Sequence, residues 1–368
     1  MIITIMGLPG QHTSMWREVC VDILRRLGNQ CDAAELVATR SDDDPSRWEL
    51  DSLGLLAYTA LGVKTGVLVV VARTPERSFA NAVLQAKRPF LLCLEDPRDS
   101  AAYLVESGLE AASALRLTCQ SCACLYGLAT SGGAVVLRES ASTNPNATVI
   151  TNVLSVLGIS PDAETMKVAR ECIELHSSHL SRSSSATQSE EALSARAALT
   201  GYAAAFGGGN LGPIVVTREL FYVTDPLGNV AERLIDLTGR ARMLTFGPYI
   251  AVPAGGWILQ LVLAFSAEIE GVEFSIEVVS EQKGISQQLA NSRFTVTSGR
   301  NLIRLSFKQD HPEALLQFRL HVHQAIFDGQ VSIGYAELRK SDEAEFGHLA
   351  DSIRWNEGDF SSLASIRG

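Results

Sequence analysis

The sequence predicts two domains, an N-terminal α/β domain on a parallel sheet and then an antiparallel β-sandwich of jelly-roll type. Its 368 residues are too many for one ordinary core and suit two. Up to about residue 160, short apolar runs alternate with helical patterns, which calls for a mainly parallel sheet covered by helices on both faces. From Asp236 onward the apolar residues alternate with period two, and Gly, Asn, Asp and Pro punctuate them.

The elements follow in order. Met1–Gly7 is isoleucine-rich, as a buried parallel strand should be. Gly7–Ser14 is a turn-rich loop, and Thr13 or Ser14 caps a helix over 15–27 that Gly28 ends. Residues 30–47 read as a polar connection and 48–61 as an amphipathic helix. Strands follow at 67–71, 89–94 and 134–137, with helices at 76–87, at 100–127 with a break near Gly108, and at 145–158.

This places the α/β domain at 1–175. Residues 176–210 read as a serine- and glycine-rich linker holding a short helix at 190–205. The sandwich fills 211–340, with strands at 257–265, 272–279, 292–297, 301–307, 315–323 and 330–338, and 341–368 is a C-terminal tail.

Composition narrows the partners. Hydrophobic residues make up 46% and charged residues 20%, enough for two cores. A net charge of -10 argues against nucleic acid or an anionic membrane as the main partner. The seven cysteines lie between Cys20 and Cys172, several in apolar segments, as buried free thiols in a reducing compartment would. The start, Met1–Met6, lacks the basic stretch of a signal peptide, and the apolar run Gly66–Ala72 is only strand length. A cytoplasmic protein without a membrane span is expected.

No metal is expected either. Cys119, Cys122 and Cys124 share a helical segment without a nearby Cys or His pair to complete four ligands, so they read as packing thiols. His176 and His179 read as solvated. His321 and His323 fall on one side of a strand, with His311 the one candidate for a third ligand, and read as a polar face.

The first loop carries the candidate chemistry. Between a strand and a helix, backbone N–H groups and the positive end of the helix dipole make a seat for phosphate or sulfate. The loop is P-loop-like in this sense, although His12-Thr13-Ser14 replaces the Gly-Lys-Ser/Thr ending of a Walker A sequence. Pro9, Gly10, Gln11, His12, Thr13 and Ser14 are the candidate cofactor-binding residues, with Arg98 as a nearby cation. His12 is the candidate catalytic base, or an anion ligand when protonated, or simply a loop residue bonded to backbone. Arg98 reads equally well as a surface ion pair with Asp96 or Asp99.

Pro9, Thr13, Ser14 and Trp16 hold the places of a loop written Pro-[Lys/Arg]-Ser-Gly-Thr-[Ser/Thr] and followed by Trp. Arg47-Trp48-Glu49, the strand and turn Phe90–Asp99, and Val135–Glu139 followed by Asn144-Pro145 and Val156–Ile159 match later motifs in the same order. On these residues the chain resembles bacterial sulfotransferases over about 1–160. The resemblance implies 3′-phosphoadenosine 5′-phosphosulfate (PAPS) as cofactor, and transfer of its sulfuryl group to a hydroxyl of a bacterial glycan or small hydroxylated molecule.

Several positions depart from that pattern. Gly10 stands where the family has Lys or Arg, Gln11-His12 where it has Ser-Gly, Glu95 where an Arg meets the 3′-phosphate, and Tyr103 where a Ser binds it. These favour a second reading, a non-catalytic protein of this fold acting as a glycan-binding or assembly component. A third reading is a different nucleotide or phosphate ligand at the same loop. Gly247-Pro248-Tyr249 to Trp257 resembles a segment of β-sandwich domains attached to bacterial glycan-processing proteins. Tyr249 and Trp257 are therefore candidates for an aromatic glycan-binding face, or else core residues.

Overall fold

The computed structural model describes residues 1–36, 66–73, 77–178, 190–282 and 284–341. The helix expected at 48–61, His179 with the serine run after it, and the tail from 342 lie outside the described residues.

The first half runs β1 (Ile2–Gly7), α1 (Gln11–Arg26), β2 (Cys31–Leu36), β3 (Val67–Ala72), α2 (Arg77–Gln85), β4 (Phe90–Leu94), α3 (Pro97–Glu106), α4 (Ala111–Ala129), β5 (Ala134–Arg138), α5 (Glu139–Thr143), α6 (Ala147–Val156) and α7 (Ala163–Ser177). The five strands pair in parallel in the order β2-β3-β1-β4-β5. β3 and β4 are apolar throughout and buried on both faces, as a covered parallel sheet requires. β2 lies in the stretch read as a polar connection. Among the described residues it pairs with β3 alone, at the edge of the sheet, and Asp32 and Glu35 are exposed.

α1 begins at Gln11, earlier than expected, because Gly10 in extended backbone serves as N-cap without a side-chain bond. Thr13 and Ser14 do not cap it. Their hydroxyls lie inside the first turn and donate back to Leu8 O at 2.8 Å and Gly10 O at 3.0 Å. α7 continues through His176 to Ser177, past the point where the linker was expected to begin. Gly108, at φ 96°, separates α3 from α4.

α8 (Glu190–Ala198) and α9 (Thr200–Phe206) lead into β6 (Ile214–Thr217), β7 (Tyr222–Thr224), β8 (Leu227–Val230), β9 (Ile235–Asp236), β10 (Arg242–Phe246), β11 (Pro248–Ile250), β12 (Gly255–Phe265), β13 (Glu273–Gln282), β14 (Ile285–Thr295), β15 (Gly299–Gln309), β16 (Leu315–Val322) and β17 (Gln330–Lys340). They form two antiparallel sheets, β14-β13-β16-β10-β7-β8 and β15-β12-β17-β6, with β11 beside β16 and β9 beside β17. Trp257, Leu259, Leu261, Leu263 and Phe265 of β12 face Phe274, Ile276, Phe318 and Leu320 across one core.

That core is continuous with α8, α9, one face of α4 and one face of the parallel sheet. A second apolar cluster lies on the sheet's other face, under α1, α6 and α7. α4 is thus wedged between sheet and sandwich. A polar bond fastens it there, Gln120 Nε2 donating to Glu313 O at 2.8 Å, and α9 is tied to the sandwich by Tyr202, which donates to Ala251 O at 2.9 Å. Among the described residues, no helix is long and apolar enough to cross a membrane.

Candidate functional site

In a sheet of order 2-3-1-4-5 the chain leaves β1 toward one side and β4 toward the other. The crevice for a ligand therefore opens between the carboxyl ends of those two strands. Here it is bordered by Leu8–Gly10 after β1, Glu95 and Asp96 after β4, and α5 after β5.

Close approach dictates the glycines. A Cβ on Gly7 would lie 2.2 Å from Thr13 Oγ1 and 2.9 Å from Cys93 O. A Cβ on Gly10 would lie 2.0 Å from Glu95 Oε1 and 2.5 Å from Glu95 Cδ. The carboxyl group of Glu95 thus rests directly on the loop, in space that any other residue at position 10 would take. Its Oε2 accepts a hydrogen bond from the His12 backbone N–H at 3.2 Å, in the first turn of α1. Gly10 N–H donates to Leu8 O at 2.8 Å, closing the loop on itself. The helix end that would cradle a phosphate is capped instead by the chain's own carboxyl.

Glu95 is 6% exposed. Burial pushes its carboxyl up to about 8; Glu139 and Asp99 add to the rise, while the His12 N–H and Arg73 oppose it. At neutral pH it is mostly protonated. Its Oε1 is buried with no partner among the described residues.

Among the described residues, several arginines around the crevice are engaged. Arg98 Nε lies 2.9 Å and 3.0 Å from the two carboxylate oxygens of Asp96. Arg17 pairs with the adjacent Glu18, Arg73 Nε lies 2.9 Å from Glu35 Oε1, and Arg138 Nε donates to Phe206 O at 2.9 Å. Glu139 Oε1 accepts from Asp96 N at 3.1 Å. Carboxyl groups thus share the crevice with arginines that are already bonded within the chain.

His12 is not placed to act as a base. It is 2% exposed, and burial lowers its imidazole to about 4, so it is neutral at pH 7. Trp16 Nε1, a donor only, lies 3.1 Å from His12 Nε2, which must therefore carry the lone pair. Ser142 Oγ of α5 lies 2.8 Å from the same nitrogen. The lone pair a base would use is thus committed inside the fold. Pro9 and Thr13 are buried as well, while Gln11 and Ser14 are partly exposed.

The sandwich candidates divide. Trp257 is 0% exposed and its indole N–H donates to Pro253 O at 2.9 Å, so it presents no face to a sugar. Tyr249 is partly exposed, but the guanidinium of Arg116 lies 4.6 Å over its ring. His176, read as solvated, is partly buried with Nε2 3.4 Å from Asp22 Oδ2. His321 Nε2 lies 3.4 Å from Glu277 Oε2, and His323 Nε2 lies 2.8 Å from Ser275 Oγ. Cys119, Cys122 and Cys124 are buried on α4, and burial pushes Cys119 up to about 12. Among the described residues, no group of three or more His, Cys, Asp or Glu is arranged to hold a metal ion.

Sequence reasoning named Gly10 and Glu95 separately and missed that they fit each other. The available signal was that one departure removes a side chain where the other introduces a long one. It gave no notice of Ser142, Arg116, Tyr222 or Phe246.

No known protein family matches the chain, and no curated protein matches its sequence. Among solved structures it is similar to mouse sulfotransferase SULT7A1 complexed with PAP, with TM-score 0.34 and 12% identity over 46% of this chain and 64% of that one. The chain thus spans less than two thirds of that enzyme. It is also similar to a family 16 carbohydrate binding module, with TM-score 0.22 and 17% identity over 32% of this chain and 83% of that one. A xylan-binding module, CBM15, gives TM-score 0.25 and 11% identity over 36% and 99%. Likeness at this level does not bear on chemistry, which the site alone decides.

Proposed function

We propose that this chain is a non-catalytic protein of sulfotransferase-like architecture that acts through its β-sandwich as a glycan-binding or assembly component. One observation carries the reading: the Glu95 carboxyl fills the helix-end seat, against Gly10 and on the His12 N–H.

Sulfuryl transfer needs an anionic donor held firmly and stabilisation of the charge that develops on it. Losing one preorganised donor at such a place typically lowers the rate about 100- to 1000-fold. Here the cation expected at position 10 is absent and the seat is filled. Mostly protonated at neutral pH, Glu95 excludes an anion by occupying the space and the His12 N–H rather than by its charge. The buried His12 supplies no base.

The glycan arm of the reading rests on the sequence resemblance of the segment from Gly247 to Trp257. The seven free thiols support a reducing, cytoplasmic location.

A thermal-shift titration with 3′-phosphoadenosine 5′-phosphate (PAP) tests the proposal. A ligand that binds only the folded state at 100 times its Kd adds about 2.7 kcal/mol, a readily seen rise in Tm. The expected result is no rise at millimolar PAP together with a response to glycans. A clear rise with PAP alone would restore the transferase reading.

A further inference from the structure

Three aromatic rings of the sandwich form a box facing α4. Tyr222 on β7 and Phe246 at the end of β10 are a cross-strand pair, stacked with centroids 5.7 Å apart. Tyr249 on β11 closes the box, 6.2 Å from Tyr222 and edge-on to Phe246 at 6.1 Å and 85°. All three side chains are partly exposed.

Tyr249 takes this position at φ 63°, a left-handed conformation that bulky residues rarely adopt. Gly247 before it, at φ 110°, passes where a Cβ would come within 2.9 Å of Leu220 O. Strain of this kind persists where the surroundings fix it, and it is concentrated at ligand clamps.

The box already holds a cation, and it comes from the other half of the chain. Arg116 of α4 places its guanidinium carbon 4.6 Å above the Tyr249 ring and 5.8 Å from that of Tyr222. Its Nη2 donates to Tyr222 Oη at 3.2 Å, while Nε is buried with no partner among the described residues. Tyr222 and Tyr249 against a guanidinium, with Phe246 packed on both rings, have the geometry of cation recognition, which rests on the negative faces of the ring quadrupoles. The charge of Glu281 also bears on Tyr249 and complements a cation there, while Arg319 opposes it.

We propose that Tyr222, Phe246 and Tyr249 form a binding box for an organic cation, a guanidinium or alkylammonium group, which Arg116 keeps occupied from within. A tethered occupant competes at a high effective concentration. The box therefore accepts an external cation only when Arg116 is withdrawn, which also loosens the sandwich from α4. This stands apart from the glycan reading, since it assigns these rings to a charged group.

The test is calorimetric titration of methylguanidinium and of tetramethylammonium into the full chain. Arg116→Ala should bind at least one of them at millimolar concentration, at least tenfold more tightly than the wild type. Arg116→Ala with Tyr249→Ala should lose that binding. Circular dichroism checks the fold; if Arg116→Ala unfolds, Arg116→Met, which keeps the aliphatic stem, is titrated under the same criterion. No gain over the wild type in a folded Arg116 variant, or equal binding without the Tyr249 ring, overturns the proposal. A gain for neutral oligosaccharides alone overturns it too, while supporting the glycan reading.

Discussion

Glu95 Oε2 accepts a hydrogen bond from the backbone N–H of His12 at 3.2 Å, joining the loop after β4 to the first turn of α1. Two features of the sequence thereby explain each other. Gly10 has no side chain because Glu95 occupies that space, and α1 needs no side-chain cap from its own N-cap because Glu95 supplies an acceptor.

The pair predicts a distinctive pH dependence of stability. Glu95 is raised from an ordinary 4.5 to about 8, so folding takes up a proton between those values and stability falls as pH rises across them. His12 is lowered from 6.5 to about 4, so folding releases a proton there and stability rises with pH. Each slope is about 1.4 kcal/mol per pH unit, and the two oppose each other between about 4.5 and 6.5. Above 6.5 only the Glu95 slope remains. Urea melts at pH 6.5, 7.25 and 8 should show the wild type weakening and Glu95→Gln holding level. An equal fall in Glu95→Gln would assign the slope to another group.

Gly10→Ala should destabilise through the clash with Glu95. Overpacking a buried site costs about 1–3 kcal/mol. The same change in a Glu95→Gly background should cost well under half as much, because the obstructing carboxyl is gone. Denaturant midpoints of the four proteins give the coupling. Additive effects would show that the two residues do not share this space.

Trp257→Ala should lower stability by about 3–5 kcal/mol, the usual loss for a large buried aromatic. Trp257→Phe keeps most of the packing and strands the Pro253 carbonyl, for about 1–3 kcal/mol. A Trp257→Ala protein of unchanged Tm and lost sugar binding would place that ring on the surface instead.

The sequence made the covered strands legible. β3 and β4 are buried on both faces and so read as continuous apolar runs, and β12, β13 and β16 read as apolar runs broken by single partly exposed residues such as Gln260, Glu277 and Arg319. Edge strands hid. β2, and β14 before Ser292, expose polar residues on much of their length, leaving no apolar period to detect. The start of α1 hid because Gly10 caps it by backbone conformation alone. At the site, the missing cation at Gly10 was legible. The seating of Glu95 on that glycine was not, since it depends on the pairing of β1 with β4 rather than on anything local. Trp257 and Tyr249 looked alike in sequence; strand register buried one and backbone conformation set the other under Arg116.

The central claim, that the chain's own carboxyl fills the anion seat, is tested most directly by calorimetry with PAP on the wild type and on Glu95→Ala. Charge-assisted bonds to freed backbone N–H groups contribute about 1.5–3 kcal/mol each, roughly a 10- to 150-fold effect per bond. The account predicts no measurable heat of binding for the wild type at millimolar PAP, and detectable binding once the carboxyl is removed. Sub-micromolar binding by the wild type, unchanged or weakened in Glu95→Ala, would contradict it.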